Sequence, residues 1–145
     1  MISVTQFELG WLAGIIDGEG SITVCKRGPT YVPTIKMANT SKVLVEKYCE
    51  ILDGLDISHK CYGKQKNGNC KYQWEVCIDG RPRVHKALSI VQNLLIAKQK
   101  QATKVGEWIE SRGLDLRGPY TENQLNIIKN IRELNGRGRE FSEVK

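Results

Sequence analysis

Apolar residues change their spacing several times along the chain, and each change predicts a new element. Thr5-Gln6-Phe7-Glu8 forms a capping box, so a helix is expected from about Gln6 to Asp17. From Ser21 the pattern alternates. Ile22 and Val24 fall on one face of a strand and Ser21, Thr23, Cys25 and Arg27 on the other. Gly28-Pro29 turns the chain, after which Ile35 and Met37 oppose Thr34 and Lys36 in a second strand. Asn39-Thr40-Ser41 supplies N-cap oxygens for a helix with Val43, Leu44, Tyr48, Ile51 and Leu52 at helical spacing, ended by Asp53-Gly54.

A second hairpin follows, its arms Ile57 to Gln65 and Cys70 to Ile78 flanking the turn signal Asn67-Gly68-Asn69. Gly80-Arg81-Pro82 breaks the alternation. Val84, Leu88, Val91 and Leu95 then mark a third helix, and Lys98 to Ser111 a fourth, with Ala102, Val105 and Ile109 inward. Gly113 stops that helix and residues 114–119 read as a loop. Thr121-Glu122-Asn123-Gln124 is a further capping box, opening a helix to about Leu134. Helix, hairpin, helix, hairpin, helices is the order of an α+β domain over residues 1–145, with 135–145 a basic C-terminal tail. Helices would cover one sheet face, leaving the polar positions of all four strands on the other.

Charge gives that open face a meaning. The 145 residues carry a formal net charge of +6, which favours an acidic partner. Between Ile57 and Trp74 stand Lys60, Lys64, Lys66 and Lys71 with no carboxylate, and Lys26, Arg27 and Lys36 add to them from the first hairpin. A two-stranded ribbon fits the major groove of B-DNA; cations neutralise phosphates, and Thr, Gln and Tyr side chains bond base edges. The candidate contacts are these cations with Ser21, Thr23, Cys25, Tyr31, Thr34, Tyr62, Gln73 and Glu75 along the strands, and Arg137 and Arg139 in the tail. Taken alone, a solvated basic hairpin has the same composition.

No apolar run reaches membrane-spanning length, and the N-terminus lacks the basic-then-apolar pattern of a secretory signal. Five cysteines without a CxxC argue against both a disulfide framework and a zinc knuckle, and suit reduced thiols. The expected setting is an intracellular reducing compartment, cytoplasm or organelle matrix, with neither membrane nor small-molecule substrate as partner.

The stretch Leu9 to Ser21, LGWLAGIIDGEGS, carries the sharpest chemistry. Gly10, Ala13, Gly14 and Asp17 share one helical stripe. Glycine inside a helix costs about 1 kcal/mol relative to alanine, so two of them call for a close backbone contact, with a second helix or beneath a bulky neighbour of the same chain. The stripe runs into Asp17-Gly18-Glu19-Gly20. Carboxylates at a helix C-terminus oppose the macrodipole, and a divalent cation would compensate; a polar terminus with a glycine cap is the plainer alternative.

LAGIIDGEG at Leu12 to Gly20 closely resembles the defining motif of the LAGLIDADG homing endonucleases. The order of elements, the basic strand faces, Lys98 in KQKQA and the closing LNGRGR are similar as well, so the resemblance covers nearly the whole chain. It implies an αββαββα core with a saddle-shaped antiparallel DNA-binding sheet and added C-terminal helices. It also implies a homodimer, since one motif copy is present, joined through Gly10, Ala13 and Gly14 with Asp17 bracing the helix pair. The implied activity is metal-dependent cleavage of both strands of double-stranded DNA at a long near-palindromic site, as in intron or intein homing. Glu19 would hold Mg²⁺, with the Gly18 carbonyl supplementing it and Mn²⁺ or Ca²⁺ able to substitute in binding. Lys98 and Asn39 align with positions that order water around the scissile phosphate. Glu19 departs from the family's usual aspartate, one methylene and about 1.5 Å longer. A non-cleaving DNA-binding regulator and an RNA-splicing maturase are the alternatives on the same scaffold.

Overall fold

The computed structural model describes residues 3–64, 72–113 and 118–136. Their elements are α1 (Gln6–Glu19), β1 (Gly20–Arg27), β2 (Thr30–Asn39), α2 (Lys42–Gly54), β3 (Lys60–Lys64), β4 (Gln73–Asp79), α3 (Arg81–Val91), α4 (Gln99–Arg112) and α5 (Glu122–Asn135), with a short 3-10 turn at Gln92–Leu94. This is the α+β order that the periodicity predicts.

The caps form as expected. The Thr5 hydroxyl accepts from the Glu8 N–H at 3.1 Å, while the Glu8 carboxylate accepts from the Thr5 N–H at 3.1 Å. Thr121 and Gln124 repeat the arrangement at α5, and the Ser41 hydroxyl accepts from the Leu44 N–H at α2. Each cap satisfies N–H groups that a first helical turn leaves orphaned, worth about 1 kcal/mol apiece.

The four strands form one antiparallel sheet in the order β1-β2-β4-β3. Two hairpins therefore meet through β2 and β4, with Thr34 opposite Asp79 and Asn39 opposite Trp74. Alternation places Ile22, Val24, Ile35, Met37, Val76 and Ile78 on the covered face, all buried beside Leu12 and Ile16 of α1, Tyr48 and Leu52 of α2, and Val84 and Leu88 of α3. Trp108 and Ile109 of α4 and Ile128 and Ile131 of α5 extend this core, and the Asn135 amide donates to the Ile22 carbonyl at 3.0 Å, fastening the end of α5 to β1.

Three boundaries differ from expectation. The third helix stops at Val91 and gives way to the 3-10 turn, although Leu95 is still buried. Lys98 caps α4 rather than opening it. And α1 runs on through Gly18 and Glu19, because the Gly20 N–H closes one more turn onto the Ile16 carbonyl. The Asn67-Gly68-Asn69 turn lies outside the described residues. Burial of the Tyr48 hydroxyl without a hydrogen-bond partner among the described residues costs desolvation for no return. Tyr48→Phe is expected to leave stability unchanged or raise it by up to about 1 kcal/mol in chemical denaturation; a clear loss would show that the hydroxyl is satisfied in solution.

Candidate nucleic-acid interface and carboxylate site

The end of α1 is held by side-chain and backbone bonds to a segment far along the chain. The Asp17 carboxylate accepts three backbone N–H bonds, from Ile96 at 2.6 Å, Lys98 at 3.0 Å and Ala97 at 3.1 Å. Partial burial pushes its pKa upward, but these donors and the Lys98 charge outweigh that and hold the carboxyl below its ordinary range. An acid unfavourable at the end of α1 thus becomes an anion at the start of α4, where the helix dipole favours it. Its stabilisation is complete above the ordinary aspartate value of 3.8 and is lost as pH falls below that value through the lowered folded one. Asp17→Asn should cost about 1–2 kcal/mol near neutral pH, the scale of a lost helix cap. In melts carried into acid the gap to the wild type should close; a gap that is independent of pH would mean the charge is not what binds the segment.

Lys98 returns the contact, its ammonium donating to the Asp17 main-chain carbonyl. With the Gly20 N–H on Ile16, the carbonyls of Asp17, Gly18 and Glu19 have no helical partner. Lys98 takes the first, and the Gly18 carbonyl has no hydrogen-bond partner among the described residues. The Glu19 side chain is exposed and has no hydrogen-bond or ion-pair partner among the described residues. At Gly20 an added Cβ would lie 2.9 Å from the Ile16 carbonyl oxygen and 3.3 Å from that of Lys36. The motif's last glycine therefore lets the chain pass directly from helix to strand, and that junction sets Glu19 at the sheet's end. Asn39 ends β2 at the same end of the sheet, since Gly20 pairs with Met37. Its side-chain oxygen accepts from the Ser41 N–H at 2.8 Å, leaving the amide NH₂ as a donor.

The small-residue stripe divides. Ala13 is buried with Leu12 and Ile16 in the core of the chain. Gly10 and Gly14 are exposed, and a Cβ added at either would meet nothing within 4 Å. At roughly 100° per residue, Ala13 sits on the flank of the stripe that turns toward the sheet. The outer edge is formed by Gly10, Gly14 and Gly18, with Phe7 79% exposed beside them. No neighbour among the described residues accounts for that edge.

On the open face of the sheet, Ser21, Thr23, Cys25 and Arg27 stand opposite Lys36, Thr34, Val32 and Thr30. Its centre is not bare. Glu75 is only 6% exposed; Tyr62 donates to it at 3.0 Å and the Lys36 ammonium lies 3.7 Å away. Bonds to Cys77 and Glu75 push the Tyr62 hydroxyl's pKa up, keeping it protonated as a donor. Thr34 is buried too, its hydroxyl donating to the Asp79 carboxylate, which also pairs with Arg27 at 3.1 Å. Lys36 and Arg27 are thus partly neutralised. Asp79, absent from the sequence candidates, was legible there: it continues the alternation of Glu75 and Cys77.

Strand parity separates two other candidates. Lys26 and Tyr31 pair with each other on the covered side, where the Tyr31 ring meets Tyr120 edge-on at 5.0 Å and its N–H donates to the Tyr120 hydroxyl at 2.8 Å. Lys60 and Gln73 lie on β3 and β4. Lys64 ends β3. Lys66, Lys71, Arg137 and Arg139 fall outside the described residues.

A single exposed carboxylate such as Glu19 suits a hard cation poorly alone and better beside a second one. Among the described residues no cluster of three His, Cys, Asp or Glu side chains could hold a metal. Magnesium takes one or two carboxylates and fills its remaining positions with water and phosphate oxygens, and an exposed Glu19 beside an unpaired carbonyl suits that demand. No helix among the described residues is long and apolar enough to cross a membrane.

Known proteins share both the motif and the fold. A stretch of an uncharacterized protein of Methanocaldococcus jannaschii is 32% identical over 62 residues, 43% of this chain and 24% of that protein, so the chain matches about a quarter of that relative's length. The homing endonuclease I-CvuI, solved in complex with its target in the presence of calcium, superposes with a TM-score of 0.65 at 18% identity, covering 89% of this chain and 82% of its own. The archaeal intron-encoded homing endonuclease I-Vdi141I, complexed with DNA, gives 0.59 at 15% identity over 89% and 97%. The LAGLIDADG meganuclease I-AabMI, bound to uncleaved DNA, gives 0.59 at 14% identity over 85% of this chain but 43% of its own. These neighbours share the LAGLIDADG homing-endonuclease fold. Residues 6–109 match the LAGLIDADG-like domain, and the chain belongs to that family.

Proposed function

We propose that the chain is a site-specific DNA endonuclease of the homing type, which acts as a homodimer and makes a metal-dependent double-strand break at a long near-palindromic site. The observation that carries this reading is the exposed glycine edge of α1 leading directly to an exposed Glu19. Two copies crossing at that edge form a C₂ contact in which the same patch serves both partners. The crossing brings Glu19 and the Gly18 carbonyl of each chain together at the axis, where a near-palindromic duplex has its centre. The match to nearly all of I-Vdi141I and to under half of I-AabMI supports one fold unit per chain.

Within this reading each residue has a defined task. Glu19 and the Gly18 carbonyl hold the cation, for which Mg²⁺ is the best-suited ion and Mn²⁺ or Ca²⁺ are substitutes in binding. A cation held by Glu19 and the Gly18 carbonyl would supply Lewis acidity for water activation and positive charge for the phosphoryl transition state. Asp17 fixes the helix end, and through the 96–98 segment it sets the position of Lys98. The Lys98 ammonium supplies positive charge beside the scissile phosphate, and the Asn39 amide orients water. Ser21, Thr23, Cys25, Tyr62 and Gln73 face the groove, with Lys36 and Arg27 steadied by Glu75 and Asp79.

Incubating the protein with a randomised duplex library tests the proposal. Cut molecules should accumulate with Mg²⁺ and not with EDTA, and share a near-palindromic consensus. Enrichment of bound but uncut duplexes under both conditions would favour a DNA-binding regulator.

A further inference from the structure

At the end of the sheet farthest from Glu19, where β1 and β4 finish and β3 and α3 begin, a cleft of about 350 Å³ opens, lined by Arg27, His59, Lys60, Asp79 and Arg83. Arg83, on α3, belongs to none of the strands that the basic pattern picks out. Asp79 already pairs with Arg27, whose side chain remains 50% exposed. Lys60 and Arg83 are exposed, and neither has an ion-pair partner among the described residues. Arg27, Lys60 and Arg83 against Asp79 leave a formal excess of two positive charges in one concavity. That is the chemistry of an anion site: charge-assisted donors from three directions around a space that a phosphate oxygen can enter.

We infer that this cleft receives a phosphate of the DNA backbone at the outer end of each half-site. The inference rests on the endonuclease reading and adds a clamp to it. β1 takes seven residue steps from Gly20, next to Glu19, to Arg27, about 24 Å at roughly 3.4 Å per step. B-DNA advances about 3.4 Å per base pair along a strand, so a duplex lying along β1 reaches the cleft roughly seven base pairs out from the carboxylate end. The Lys36–Glu75 pair marks the centre of the face, and Arg27, Lys60 and Arg83 lie beyond it. The sheet thereby separates base reading at the middle from backbone anchoring at the tip.

Salt dependence of duplex binding tests the cleft. The full-length protein is titrated, with Ca²⁺ present, onto a duplex longer than two half-sites, alongside Lys60→Ala/Arg83→Ala. The double variant should lose about 0.9 from the slope of log K against log salt per protomer, the counterions displaced by one phosphate. Phosphate-ethylation interference at the outermost position of each half-site should vanish with it. A variant slope equal to the wild type's overturns the clamp while leaving the endonuclease reading intact. A wild type with no salt-dependent duplex binding overturns both. Inorganic phosphate is the third arm: if it raises the melting temperature of the wild type but not of the variant, and the duplex slope does not move, the cleft binds a free phosphate and the DNA clamp is wrong.

Discussion

Glu19→Gln is expected to abolish cleavage while leaving duplex binding within a few-fold of wild type. Glutamine keeps the length and shape of the side chain, and Glu19 has no partner in the described structure whose loss could unfold anything. What disappears is the one negative charge able to hold a cation at the end of α1. Losing that ligand should slow strand scission by at least on the order of a thousandfold, equivalent to about 4 kcal/mol of transition-state stabilisation. Binding should respond in the opposite sense. Without metal, a carboxylate near DNA repels the phosphates, so the amide should bind a duplex in EDTA as tightly as wild type or slightly better. Single-turnover cleavage in Mg²⁺ and anisotropy in EDTA measure the two effects separately. Cutting at the wild-type rate would remove Glu19 from the reaction.

Gly14→Leu should separate folding from dimerisation. Nothing among the described residues lies within 4 Å of a Cβ at this position, and leucine is the better helix former by nearly 1 kcal/mol. The isolated protomer should therefore melt at the wild-type temperature or a little above. A second α1 brought against the same edge would meet an isobutyl group from each side. Overpacking costs about 1–3 kcal/mol per site, so with one site from each chain the dimer dissociation constant should rise roughly a hundredfold or more. Sedimentation should find half the wild-type mass at micromolar concentration, with cleavage lost because the two Glu19 carboxylates no longer meet. A dimer that persists would move the interface elsewhere, and an unfolded variant would contradict the open space beside Gly14.

Local signals account for most of the architecture. The alternation of Ile22, Val24, Ile35 and Met37 is a property of neighbouring residues, and it was enough to assign the covered face of the first hairpin. Both capping boxes and the Ser41 cap lie within three residues of the N–H groups they satisfy, so a short reading frame finds them. The family motif likewise marks Glu19 and its glycines by order alone.

Other features depend on residues that come together only when the chain has folded. Asp17 finds its donors 79 to 81 positions downstream, and nothing near it in the chain distinguishes a brace between two chains from a cap inside one. Ala13 and Gly14 are adjacent small residues on one stripe. The first meets the core and the second meets nothing among the described residues, a division set by the direction from which the sheet approaches α1. Tyr31 reads as a groove residue until its pairing with Lys26 and the arrival of Tyr120 put it on the other side. Thr34 and Glu75 lie on the open face yet are buried, since cross-strand neighbours shield a central position that no helix covers. Periodicity reports which way a side chain points; its surroundings there come from elements distant in the chain, whose packing a one-dimensional pattern does not encode.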